Sequence, residues 1–290
     1  TNPRNEAPVL NARIRKAWLK GAEVGIVGEA ADLTYTCRHF GSGPGDLEKA
    51  RDGLKAASQP VIVIGQGALT RPDGAALLAE TMALAEACGA KMLVLHTAAS
   101  RVGAMDLGFT TEGGLDAAID GAETIFALGV DEIDLPEGPF VIYQGSHGDR
   151  GAHRADVILP ACAYTEESGI FVNTEGRPQM ANRAGFPPGE ARENWAILRA
   201  LSAEIGMTLP FNSIAELRAQ MFAEIPHLGR IDQVPENGWT SLATGNMTDD
   251  AIVNVAKDHY LGTPIGRASG TMAEMSRLRN SRQARPLAAE

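Results

Sequence analysis

A histidine, a carboxylate and a second histidine stand at His147, Asp149 and His153, in a glycine-rich run after an apolar stretch at 140–143. Imidazole and carboxylate groups bind zinc or iron, and they also order loops by hydrogen bonding. The H-x-D-x-x-x-H spacing matches no standard metal motif, which favours the loop-ordering role. A few residues on, a short buried-type strand at 156–159 stops at Pro160, and a small-residue loop leads to Glu166 and Glu167 and then to a turn at Asn173-Thr174-Glu175-Gly176. A polar, tightly turned segment after a buried strand is where α/β folds place ligand or partner contacts. Adjacent acids in extended chain point to opposite faces, so Glu166 and Glu167 cannot form a facing acid/base pair. One of them could receive an arginine such as Arg154 or Arg177.

Gly65-Gln66-Gly67 lies between a strand and a helix, where phosphate-binding turns carry glycine. Position 70 is Thr70, so the third glycine of G-x-G-x-x-G is absent, and a plain tight turn is the favoured reading. No G-x-S-x-G, H-E-x-x-H or local Cys–His pair supports nucleophilic catalysis. The three cysteines, Cys37, Cys88 and Cys162, lie far apart and form no C-x-x-C or ferredoxin run. Each reads as a small buried hydrophobe, with no disulfide, zinc site or iron–sulfur site expected from them.

The elements that position these residues follow from periodicity. Leu10, Ile14 and Ala17/Trp18 give a helical stripe over 8–20, with Pro8 in its first turn and Gly21 as its stop. Leu47, Ala50, Leu54 and Ala57 mark another helix. Asp73 is placed to N-cap a third, whose stripe is Leu78, Met82, Ala85 and Cys88. Short apolar runs at 23–28, 61–64, 92–95, 124–128, 140–143 and 157–159 read as strands covered on both faces. Alternation at this spacing predicts an α/β fold with a doubly wound, mostly parallel sheet. Residues 98–122 are glycine-rich, with room for short helical turns only.

Two helices come later, one over 190–205 with Trp195, Leu198, Ser202 and Ile205 inward. The other opens on a capping box, Ser213 to Glu216, buries Ile214, Leu217 and Met221, and ends at Pro226. The expected division is an α/β domain over 1–226 and an irregular, extended C-terminal tail over 227–290. That tail carries Arg267, Arg277, Arg279, Arg282 and Arg285, a basic run in a chain of net charge −10, suited either to an acidic partner or to a solvated terminus. The acidic balance argues against nucleic acid, and no apolar run reaches membrane-span length. The chain starts at Thr1 with a helix where a strand should just have ended, so a C-terminal part of a longer protein is expected.

Ala155-Asp156-Val157-Ile158-Leu159-Pro160, the acid at Glu166 or Glu167, then Gly169, Phe171, Asn173 and Glu175-Gly176-Arg177-Pro178-Gln179 form a pattern. It resembles the molybdopterin oxidoreductase superfamily. In active members the matching region lies beside a bis-pterin guanine dinucleotide. Asn2-Pro3-Arg4, Glu6-Ala7-Pro8, the 11–16 run and His147-Gly148-Asp149 are similar to the large iron–sulfur subunits of respiratory complex I, bacterial and mitochondrial. So are the 179–184 and 186–191 runs, Thr263-Pro264-Ile265-Gly266-Arg267-Ala268-Ser269, and Thr271-Met272-Ala273-Glu274.

This resemblance implies a scaffold segment of an NADH:quinone oxidoreductase subunit, with no catalytic residue and no metal ligand of its own. Its 2Fe-2S and 4Fe-4S clusters would be held outside this chain. His147, Asn173 and Gln179 would be vestigial pterin-site positions. The partners implied are other peripheral-arm subunits, including the flavin-carrying one, on the cytoplasmic side of a bacterial inner membrane or the mitochondrial matrix side. The alternative is a fragment of an active formate dehydrogenase or nitrate reductase relative, in which the same three residues would face the dinucleotide.

Overall fold

A computed structural model describes residues 1–283 except 237, 239, 241 and 243. The chain divides into two compact units, Thr1–Ala99 with Glu236–His259, and Ser100–Pro235 with Tyr260–Glu290. Residues after 226 are therefore shared between both units. The α/β class read from the alternation holds, and three of the four sheets are parallel.

In the first unit, β1 (Gly25–Val27) pairs in parallel with β2 (Arg38–Gly41), and β3 (Val61–Ile64) with β4 (Lys91–Val94). The helix Pro8–Trp18 starts on Pro8 and stops before Gly21 at φ +96°, a backbone value glycine adopts freely. Asn11 is buried on that helix, donating to the Leu33 carbonyl at 3.2 Å and accepting from the Tyr35 hydroxyl at 2.8 Å. The stripe at 47–57 breaks into a 3-10 helix, Pro44–Ala50, and an α-helix, Arg51–Ala56. The helix Gly74–Cys88 buries Leu77, Thr81, Leu84 and Ala85, whereas Leu78, Met82 and Cys88 are half-buried. Its deepest face lies about one position from the expected stripe, because the helix is apolar nearly all round. The core joins Ile64, Ala68 and Leu77 to Ile252, a residue supplied from nearly two hundred positions later in the chain.

Asp73 occupies the N-cap position of that helix, but its side chain makes no cap hydrogen bond. Its carboxylate instead accepts from Arg71 at 2.7 and 2.9 Å and from the Thr248 amide at 2.8 Å. The bidentate pair gives the carboxylate two charge-assisted bonds where a cap contact gives one, and Arg71 stands two residues away to claim it.

In the second unit, β5 (Thr124–Leu128), β6 (Phe140–Gly145) and β7 (Val157–Pro160) form a parallel sheet in that order. An antiparallel hairpin follows, β8 (Gly169–Val172) with β9 (Pro178–Ala181). Short helices Arg101–Asp106 and Gly114–Ile119 fill the glycine-rich stretch. The strands are not covered on both faces as expected: Val61 is 54% and Ile158 53% exposed. Small ladders leave most strands at an edge, so β-branched content alone does not report burial.

The helix at 190–205 is confined to Asn194–Glu204, so Ile205 leaves it and is exposed, while Ser202 is buried. Ser213 caps Ile214–Glu224 by accepting from the Glu216 amide at 3.2 Å. The return bond of the box goes one residue early, from the Asn212 amide to Glu216 at 2.6 Å. Among the described residues, 231–263 hold no helix or strand, and Pro264–Ala268 and Gly270–Gln283 are helices. No helix among the described residues is long and apolar enough to cross a membrane.

Candidate functional site

The loop leaving β6 carries His147 and Asp149. Tyr143, buried at 3% exposure on β6, donates its hydroxyl to the His147 carbonyl, and burial followed by the nearby Asp131 charge pushes the phenol up to about 12. His147 Nδ1 lies 2.9 Å from Ser146 Oγ. Asp149 accepts from Arg267 Nε at 2.6 Å, and Arg267 Nη2 lies 3.1 Å from Glu132. His153 sits exposed on the helix Arg150–Arg154. The sequence cluster thus separates: Asp149 is held by Arg267, His147 Nδ1 faces Ser146, and His153 is exposed on the following helix. Among the described residues no group of three His, Cys, Asp or Glu side chains is placed to hold a metal ion.

Glu166 and Glu167 do point to different partners. Glu166 accepts from the Ala163 amide at 2.9 Å, and Glu167 accepts from the Asn194 side chain at 2.8 Å and its amide at 3.2 Å. Neither receives Arg154 or Arg177. Arg154 donates to the Pro136 and Pro139 carbonyls, and Arg177 to the Asp232 carbonyl and Glu175. Backbone carbonyls and the nearby acids Asp156 and Glu175 engage the two guanidinium groups instead. Asn194 also accepts from Gln144 Nε2 at 2.8 Å, so a strand end, a loop and a helix start meet on one amide. Cys162 is buried beside Glu167, and desolvation first, then that negative charge, pushes its thiol up to about 12. Cys37 and Cys88 are free but only half-buried.

Asn173 closes the β8–β9 turn on itself. Its Oδ1 accepts from the Glu175 amide at 2.9 Å and the Arg177 amide at 3.1 Å, the Asx arrangement that this residue favours. Gly176 supplies φ +80° in the same turn. Gln179 is exposed on β9, one register pair from the turn, so it shares a hairpin with Asn173, whereas His147 lies in the loop after β6. Asn173→Ala is expected to lower stability by about 1–2 kcal/mol through two lost amide bonds, and Asn173→Asp to retain most of it. Chemical denaturation of both variants measures this.

At Gly65-Gln66-Gly67 the chain turns into one helical turn, Gln66–Leu69, and Gln66 donates to the Leu95 carbonyl at 2.8 Å. A Cβ on Gly67 would strike the Val253 carbonyl, so this glycine is needed for close packing of chain on chain. Sequence reasoning missed that segment, as well as Asn194 and the buried Asp131, whose Oδ1 accepts from the Ala152 amide at 3.0 Å. Asp131 follows a strand and Gly129, which is a weak signal in the sequence. In the basic tail, Arg267 is engaged by Glu132 and Asp149, and Arg277 pairs with Glu274 at 2.6 Å. Arg285 and the side chain of Arg282 lie outside the described residues.

Three curated relatives resemble the chain along nearly its whole length. The mitochondrial NADH-ubiquinone oxidoreductase 78 kDa subunit of Neurospora crassa is 38% identical over 302 residues, covering 95% of this chain and 40% of the relative. The corresponding Candida albicans subunit is 39% identical, covering 94% of this chain and 41% of the relative. NADH dehydrogenase [ubiquinone] iron-sulfur protein 1 of Solanum tuberosum is 37% identical, covering 96% and 40%. The chain therefore spans about two fifths of the length of the relatives it matches. The sequence model of the molybdopterin oxidoreductases matches residues 1–204, well over half of the chain, and with the parallel β–α architecture it places this protein in the molybdopterin oxidoreductase family.

Proposed function

We propose that the chain is a scaffold segment of the large iron–sulfur subunit of a proton-pumping NADH:quinone oxidoreductase. The observation that carries this is identity of 37–39% over about 95% of the chain to subunits named for that enzyme. On this reading electrons pass through 2Fe-2S and 4Fe-4S clusters held elsewhere in the polypeptide, and this segment supplies packing against other peripheral-arm subunits, the flavin-carrying one included. Its place is the cytoplasmic side of a bacterial inner membrane or the matrix side of the mitochondrial one.

The donor set supports a segment without a cofactor of its own. A cysteine-held cluster takes four thiolates, and this chain has three cysteines, one of them buried with a strongly disfavoured thiolate. A pterin dinucleotide would need free polar groups at His147, Asn173 and Gln179. Asn173 Oδ1 is engaged by its own turn, and His147 Nδ1 faces Ser146. Asn173 therefore does not fit the group, and His147, Asn173 and Gln179 are proposed as vestigial positions, with no catalytic residue in this segment.

Affinity capture of the full-length subunit tests the reading. The captured material is expected to hold iron, acid-labile sulfide and the flavin-carrying subunit, with molybdenum and tungsten at trace level. Stoichiometric molybdenum or tungsten would overturn it in favour of an active molybdopterin-dependent oxidoreductase of the formate dehydrogenase or nitrate reductase type.

A further inference from the structure

In open α/β sheets, ligands enter the crevice outside the carboxyl ends of the parallel strands. In the first unit the chain itself lies there. Residues 248–257 run without helix or strand past the ends of β1, β2 and β3. The Ile252 amide donates to the Ser42 carbonyl after β2 at 2.8 Å, and the Ile252 carbonyl accepts from the Glu29 amide after β1 at 2.7 Å. The Asn254 amide donates to the Glu29 carboxylate at 2.9 Å. Exposure alternates along the segment: Ile252 and Asn254 are buried at 5% and 7%, while Val253 and Val255 are exposed at 53% and 42%. Ile252 thereby completes the core around Ile64, Ala68 and Leu77.

Three glycines at the strand ends make room for it. A Cβ on Gly28 would lie 3.0 Å from the Ile252 carbonyl oxygen, and one on Gly43 3.2 Å from that of Asp249. One on Gly67 would collide with the carbonyl of Val253. Arg71 fastens the near end by donating to the Asp250 and Ala251 carbonyls at 2.7 and 3.1 Å and to Thr248 Oγ1 at 2.9 Å. Lys257 pairs with Glu29 at 3.2 Å at the far end. Backbone carbonyl oxygens carry partial negative charge, so the glycine-lined ends receive from the chain the kind of group that an anion's oxygens would otherwise present.

We propose that residues 248–257 are a built-in plug that closes the strand-end crevice of the first unit, and that Gly28, Gly43 and Gly67 seat its carbonyls instead of a ligand's phosphates. The plug lies beyond the residues that the family model matches, 1–204. The proposal goes beyond the electron-transfer reading and stands whether or not the chain works in such a complex.

Hydrogen exchange on the full-length protein tests it, with inorganic pyrophosphate as the ligand probe. The amides of Ile252, Asn254 and Glu29 are expected to be protected to the level of β3. Gly67→Ala is expected to raise plug exchange at least ~10-fold while β3 and β4 keep their protection. Gly43→Ala, with milder crowding, is expected to give a smaller rise. Gly45→Ala has nothing within 4 Å of the added Cβ and is expected to give none. If Gly67→Ala does not fold, the Gly43 and Gly45 pair decides. Plug amides exchanging at loop rates in the wild type would overturn the proposal, as would equal effects at 43 and 45, or protection of 65–67 by pyrophosphate with the plug in place.

Discussion

Leu77→Ala is expected to cost ~2–5 kcal/mol of unfolding free energy, a large part of the 5–15 kcal/mol typical of a domain. Leu77 is 1% exposed and packs with Ile64 at the end of β3, with Ala68 in the following turn, and with Ile252 of the plug. Truncation opens a cavity where strand, helix and plug meet, and the plug is fastened at both ends, which limits its collapse into the space. A shifted denaturation midpoint with an unchanged m-value is the expected signature. Leu78→Ala, at a half-buried position on the same helix, is expected to cost less. Under the scaffold proposal, the Leu77 variant in the whole enzyme reduces the amount of assembled complex and leaves NADH turnover per bound flavin unchanged. Normal assembly with lowered turnover per flavin would count against a scaffold role.

The Leu77 and Leu78 contrast shows what the sequence could and could not convey. Element type followed from local chemistry: Pro8 and Gly21 bound a helix, Ser213 caps another, and parallel ladders formed where short apolar runs alternated with helices. The rotation of the 74–88 helix did not follow, since a segment apolar on nearly every face has no strong stripe to read. Burial of the strands failed for a related reason, because β-branched residues mark strands without stating how many neighbours each ladder has. At the candidate site, the Asn173 turn rests on neighbours in sequence and was legible, whereas Glu167 finds its partner Asn194 twenty-seven residues on. Arg267 meeting Asp149, and Val253 meeting Gly67, join residues more than a hundred positions apart, which no local pattern encodes. Gly67 does mark the close approach of a polar group, but the group is a carbonyl of the same chain.

Asp73→Asn is expected to loosen the plug and to lower stability most at neutral pH. The change keeps the shape of the side chain and removes its charge, leaving Arg71 without the carboxylate that orients it toward the Asp250 and Ala251 carbonyls. The Arg71 guanidinium, together with the Thr248 amide, holds the Asp73 carboxyl well below the usual carboxylate range. A carboxyl whose pKa is depressed by folding binds its proton more readily when unfolded, so its contribution is fully present above the unfolded value of about 4. As pH falls below that value toward the lowered folded one, the unfolded state gains protons first and the contribution fades. The stability gap between wild type and Asp73→Asn is therefore expected to be constant from about pH 5 to 8 and to shrink progressively below about pH 4. Thermal unfolding of the two proteins across that range measures it. A gap that widens on acidification would mean that Asp73 is not the ionised partner of Arg71. Restoring the gap requires the charge, and a second substitution, Arg71→Gln, separates the two roles of the clamp. Without the guanidinium, Asp73 holds the plug only by accepting from the Thr248 amide, so Asp73→Asn is expected to lower plug protection less in an Arg71→Gln background than in the wild type.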